Sequence, residues 1–103
     1  MSQKVIKKVR KKGKLKLKKP KLYKVLMHND NYTTMEFVVA ILQTVFNKSQ
    51  EEAVRIMLHI HNRGIGECGI YPYDIAVSKV ELTHYLAKKN EYPLKCSIEP
   101  VEE

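Results

Sequence analysis

The chain has 103 residues and a formal charge of +8, which suits one domain with a modest core. The charge is uneven: residues 1–21 hold 11 of the 19 Lys and Arg and no acid, while 22–103 hold 8 basic and 11 acidic residues, a net of −3. Two cysteines exclude a disulfide framework, no apolar run nears the roughly 20 residues of a membrane span, and no apolar segment follows the N-terminal charges as in a secretory signal, so a cytoplasmic protein with reduced thiols is expected.

In chain order, residues 1–21 read as a disordered basic extension, because Val5, Ile6, Val9, Leu15 and Leu17 are too few to build a core. Leu22 to Met27 is apolar and partly alternating, which predicts a strand. A polar loop follows, His28 to Tyr32. Thr33 and Glu36 then have the spacing of a capping box that starts a first helix over Met35 to Phe46, with Phe37, Val38, Ile41, Leu42, Val45 and Phe46 at core spacing. Ser49 and Glu52 repeat the box and start a second helix, from about Gln50 to Asn62, stopped by Gly64. Ile65 to Tyr71 reads as a strand, with Gly66 and Gly69 allowing close backbone packing. Pro72 opens a third helix, with Asp74 in its first turn and Ile75, Ala76, Val80, Leu82, Tyr85 and Leu86 as apolar positions. Leu94 to Ile98 is the last strand. The order β-α-α-β-α-β predicts a single α+β domain over 22–103, a three-stranded antiparallel sheet with three helices on one face.

The residues offer little for catalysis or metal binding. His59 and His61 are two apart on a helix and point in different directions, and Cys68 and Cys96 are too distant in sequence for a thiolate cluster; both are expected as small core residues of neighbouring strands. There is no Gly-x-Ser-x-Gly elbow and no Gly-rich phosphate loop. Neither a cofactor nor a metal is expected, and no enzyme. Met57 and His61, four apart, share a face of the second helix. Taken plainly, both belong to the core and its rim, and Asn29-Asp30-Asn31 is a turn. Taken together, Met35, Val38, Met57 and Ile60 can wall an apolar pocket with Asn29, Asn31 and His61 at its lip. A free α-amino group, a cation with three donors, suits such acceptors.

Several stretches resemble one family: Tyr23 to Leu26, Asn29-Asp30-Asn31-Tyr32-Thr33-Thr34-Met35-Glu36-Phe37-Val38, Ile56-Met57-Leu58-His59-Ile60-His61, Gly64 to Tyr71, Ala76 to Lys79 and Glu91-Tyr92-Pro93-Leu94-Lys95-Cys96. Together they are similar to the ClpS adaptors, from about Lys21 to the C-terminus. The resemblance implies an adaptor, not an enzyme, that binds N-terminal Leu, Phe, Tyr and Trp of N-degron substrates and delivers them to a Clp ATPase–protease. It implies that Asn29 and His61, with an acid of the loop (Asp30 or the position of Asn31), hold the α-amino group. It assigns Thr33, Met35, Val38, Met57, Ile60 and Leu94 to the side-chain pocket, with Met35 excluding β-branched residues. Asp74 and Lys79 match positions that dock on the N-terminal domain of the ATPase, of ClpA or ClpC type, and the extension matches a segment that the ATPase engages. The expected protein is a monomer without membrane or nucleic-acid partners. The chain departs from the pattern at Asn31, where the usual loop reads Asn-Asp-Asp, and at Thr34, where Pro is usual. The Lys-rich extension alone also suits a second class, a small RNA-binding or ribosome-associated domain.

Overall fold

The computed structural model describes residues 19–102, so the extension read over 1–21 lies outside the described residues except for Lys19, Pro20 and Lys21, which are exposed and belong to no helix or strand. From Leu22 the elements are β1 (Leu22–His28), α1 (Met35–Thr44), α2 (Gln50–Arg63), β2 (Ile65–Pro72), α3 (Tyr73–Lys89) and β3 (Lys95–Pro100), in the predicted β-α-α-β-α-β order. The strands form one antiparallel sheet in the order β2-β1-β3, so the first strand lies in the middle. Alternation along β1 decides its two faces. Val25 and Met27 point into the core and are fully buried, while Lys24, Leu26 and His28 on the other face are only half-buried. On the buried face α3 packs against all three strands, α2 packs against β2, and α1 packs on α2. Between them lies one core that joins Val25 and Met27 to Val38, Ile41 and Leu42 of α1 and to Ala53, Ile56, Met57 and Ile60 of α2.

Cys68 and Cys96 are both buried free thiols, as expected of core residues. They are not on neighbouring strands, however, because β1 separates β2 from β3. Cys68 is the extra residue of a β-bulge: Val25 pairs with Gly69 and Leu26 with Glu67, leaving Cys68 unpaired between them. Burial, with Cys96 nearby, pushes the Cys68 thiol far up, and burial pushes Cys96 up to about 12. Both stay protonated and unreactive at neutral pH.

Three local expectations differ in the structure. The first helix ends at Thr44 with Val45 as its C-cap, so Phe46 leaves the helix and turns into the core beside Tyr71. Pro72 is the N-cap of α3 rather than a first-turn residue, and no side chain caps that end; Asp74 supplies the favourable first-turn charge instead. The apolar positions expected on α3 are partly wrong. Ile75, Leu82 and Tyr85 are exposed, and the fully buried residues are the small ones, Ala76, Thr83 and Ala87. A helix lying flat across three strands comes closest at its small residues, and larger apolar side chains are displaced to the flanks.

Candidate functional site

The site is built by two chain reversals held against each other. At the end of α2, Gly64 adopts φ 90°, a left-handed conformation that suits glycine, and its N–H donates to Ile60 O at 2.8 Å. The same Gly64 offers its carbonyl to Asn29 N at 2.9 Å, which ties the loop after β1 to the end of α2. That bond brings Asn29 to the side of α2 that carries His61. Gly66, two residues on, lets α2 and β2 approach closely: a Cβ there would lie 2.6 Å from Cγ1 of Ile60. Ile60 is thereby pressed into the floor of the site, 2 % exposed.

Asp30 shapes the second reversal. Its Oδ1 accepts from Tyr32 N at 2.8 Å and from Thr33 N at 2.7 Å, and its Oδ2 accepts from the Thr33 hydroxyl at 2.8 Å. Partial burial acts to raise the Asp30 pKa, but the bonds from Thr33 and Tyr32 outweigh it and hold the carboxyl below its ordinary value. The capping box predicted at Thr33 and Glu36 does not form: the N-cap falls one residue later, and the residue three beyond it is Phe37, which cannot reach back. Thr34 is the N-cap of α1, its Oγ1 accepting from Phe37 N at 3.1 Å, because Thr33 is already engaged with Asp30. The hydroxyl of Thr34 thus stands where the resemblance led one to expect proline. Ser49 caps α2 as predicted, accepting from Glu52 N at 3.1 Å, but the Glu52 carboxylate turns to Arg55 at 2.9 Å and does not reach back.

Between these reversals lies a cavity of about 200 Å³ lined by Asn29, Asp30, Asn31, Thr33, Met35, Val38, Met57, Ile60 and His61. Its floor is apolar: Val38 and Met57 are each 8 % exposed, and Met35 leans over one side at 42 %. Its lip is polar, with Asn29, Asn31 and His61 all exposed. A cavity below the roughly 300–1,000 Å³ of small-molecule sites is on the scale of one large side chain. Of the residues expected in this site, Leu94 alone is not brought in. It is 3 % exposed in the core, before β3, and does not line the cavity. A larger hollow of about 280 Å³ between α2 and β2 is lined by Ile56, Cys68 and Gly69 and by the charged or polar Lys48, Glu52, Arg55, His59 and Glu67, two of which, Glu52 and Arg55, form an ion pair. His59 and His61 do point apart, to different hollows. Among the described residues no group of three or more His, Cys, Asp and Glu gathers to hold a metal ion, and no helix is long and apolar enough to cross a membrane.

The two docking candidates sit in different surroundings. Asp74 is exposed in the first turn of α3. Lys79 is half-buried, and its ammonium donates to Val45 O at 2.7 Å and lies over the rings of Tyr71 and Phe46 at 5.3 and 6.0 Å. It therefore closes the C-terminal end of α1 from within the molecule. Sequence spacing gave no sign of this, because α1 and α3 meet only through the tertiary fold.

A family model described as ATP-dependent Clp protease adaptor protein ClpS matches residues 18–97. A ClpS adapter of Myxococcus xanthus is 57 % identical over 89 residues, covering 86 % of this chain and 83 % of that protein. One from Desulfatibacillum aliphaticivorans is 56 % identical over 85 residues, covering 82 % of each. Among solved structures, Agrobacterium tumefaciens ClpS2 bound to L-phenylalaninamide superimposes with a TM-score of 0.78 at 37 % identity, covering 81 % of this chain and all of that one. With this fold, this pocket and these relatives, the chain belongs to the ClpS family of Clp protease adaptors and is an adaptor rather than an enzyme.

Proposed function

We propose that the cavity between α1 and α2 captures the first residue of a substrate protein, its bulky hydrophobic side chain (Leu, Phe, Tyr or Trp) on the floor and its α-amino group at the lip. The observation that carries this is the convergence of nine residues from three separate segments into one side-chain-sized pocket, apolar below and polar at one edge. The oxygens of Asn29 and Asn31 and an imidazole nitrogen of His61 are neutral acceptors for the ammonium. The carboxylate of Asp30 has three contacts within the loop but lines the same cavity with acceptor capacity left on Oδ2, so it is the charged acceptor of the set. Met35 at the mouth is the residue that a β-branched side chain would meet first. The solved relative whose bound molecule is L-phenylalaninamide supports the reading, since that molecule joins a free α-amine to a benzyl side chain. The adaptor then passes its cargo to the N-terminal domain of a Clp ATPase, of ClpA or ClpC type, with Asp74 on the docking face and residues 1–21 as the segment engaged at delivery. It acts as a monomer in the cytoplasm, with Cys68 and Cys96 reduced.

The test is a titration with fluorescent peptides that begin with Leu or Phe, each with a free or an acetylated α-amine. The free-amine peptides are expected to bind and the acetylated ones to lose affinity by at least about tenfold, since acetylation removes the charge and two donors at once. Equal affinities would rule out capture through the amine.

A further inference from the structure

Beyond Met35 and Met57 lies a second hollow, of about 410 Å³, lined by those two residues with Glu36, Val39, Ala40 and Gln43. Met35 and Met57 line both hollows and form the wall between them. The amine-lip residues Asn29, Asn31 and His61 line only the first. The outer hollow therefore lies across the pocket from its polar edge. Positions 36, 39, 40 and 43 fall on one face of α1, three and four residues apart. Glu36 and Gln43 stand at the two ends of this face, and between them Val39 is half-buried and Ala40 leaves the surface low and apolar.

The stereochemistry of a captured residue gives this groove an occupant. The amine is at the polar lip and the side chain is on the floor. The third heavy substituent of the same Cα, the carbonyl carbon, must diverge from both, and the side away from the lip is the Met35–Met57 wall. In an extended segment, side chains alternate in direction, so the third residue faces the same way as the first and lies about 7 Å further along. A wall one side chain thick is crossed by a step of that length. We infer that the groove outside Met35 and Met57 is a second subsite of the same peptide-binding surface, and that it takes an apolar side chain from the third residue of the N-terminal segment. This rests on the N-terminal reading of the first pocket. The methionines, unbranched and flexible, serve both subsites and let each adjust to its occupant.

The experiment compares three peptides on the full chain, beginning Leu-Ala-Ala, Leu-Ala-Leu and Leu-Leu-Ala, each also as its acetylated twin. Partial burial of one Leu side chain gives an expected gain of about fivefold for Leu-Ala-Leu over Leu-Ala-Ala, with little change for Leu-Leu-Ala. In an Ala40→Glu variant, an exposed helical position given a good helix former, the difference between Leu-Ala-Leu and Leu-Ala-Ala is expected to vanish. Three equal affinities, with the acetylated twins not binding, would overturn the second subsite and leave the first intact. A gain at position two alone would overturn the assigned register. A position-three preference that survives Ala40→Glu would place the contact elsewhere. Failure of every free-amine peptide to bind would remove both the first-pocket reading and this one.

Discussion

At the scale of single residues the site turns on where negative charge is placed. The carboxylate of Asp30 accepts three bonds from Tyr32 and Thr33, and its neighbour Asn31, exposed at the lip, is uncharged. In the proposed binding mode, Asp30 is thus the one acidic side chain among the described residues of the cavity, beside the neutral acceptors Asn29, Asn31 and His61. Asn31→Asp should convert one of these contacts into a charge-assisted one, and affinity for a Leu-initiated peptide should rise by about fivefold. The check is the same titration at low and raised salt, where the gain should shrink as salt increases. No gain at low salt would mean that Asn31 does not touch the amine. Asn29, Met57 and His61 were legible because their placement follows from local rules: a turn after a strand, a helical repeat of four and a glycine stop. Thr33 and Thr34 were not distinguishable, since either hydroxyl can cap a helix and the choice was made by Asp30. Leu94 came from resemblance alone; it is as buried as Ile60 but lines a different hollow, beside His84 and Tyr92.

At the scale of elements, β3 and α3 are joined by a titratable contact. β3 is an edge strand, and the N–H of Cys96 donates to His84 Nε2 of α3 at 2.9 Å, which requires that nitrogen to be unprotonated. Desolvation by burial, and then the charge of Lys95, lower the His84 pKa below the ordinary 6.5. Lys88, Glu91 and Tyr92 line the same hollow as His84 and Lys95. With the folded pKa depressed, the unfolded chain takes up the proton first as pH falls. The stability contributed by this contact is thus fully present above about pH 6.5 and is lost as pH falls through the folded pKa. Thermal denaturation between about pH 8 and pH 5 should show the wild type losing more stability than His84→Gln, whose amide oxygen can accept the same bond without titrating. Parallel pH profiles would show that the His84 contact is not the source. The capped starts of α1 and α2 were readable to within a residue because capping is local. The buried side of α3 was not, because its hydrophobic residues fall on more than one face and only the sheet beneath decides which side is covered.

At the scale of the whole molecule, charge divides the chain. Residues 1–21 carry 11 Lys and Arg, and the body from 22 on has a net charge of −3 from 8 basic and 11 acidic residues. Every residue lining the first pocket lies at Asn29 or later. A chain starting at Leu22 should bind Leu-initiated peptides with unchanged affinity and fail to hand substrate over for degradation; loss of peptide binding would overturn that division. The order β-α-α-β-α-β was legible from periodicity and punctuation, but the order of strands in space was not, and it is the spatial order that has a mechanical meaning. A pull on the N-terminal extension enters the body at Leu22, the first residue of the central strand. That strand is hydrogen-bonded along both edges, from Leu22 to Pro72 on one side and from Tyr23 to Pro100 on the other, and Val101 N clips onto Leu22 O at 2.9 Å. Force cannot peel it away as it would an edge strand: two ladders must yield together, beneath the helices that cover Val25 and Met27. If residues 1–21 are the segment gripped at delivery, as proposed, the force meets the part of the body that is hardest to extract.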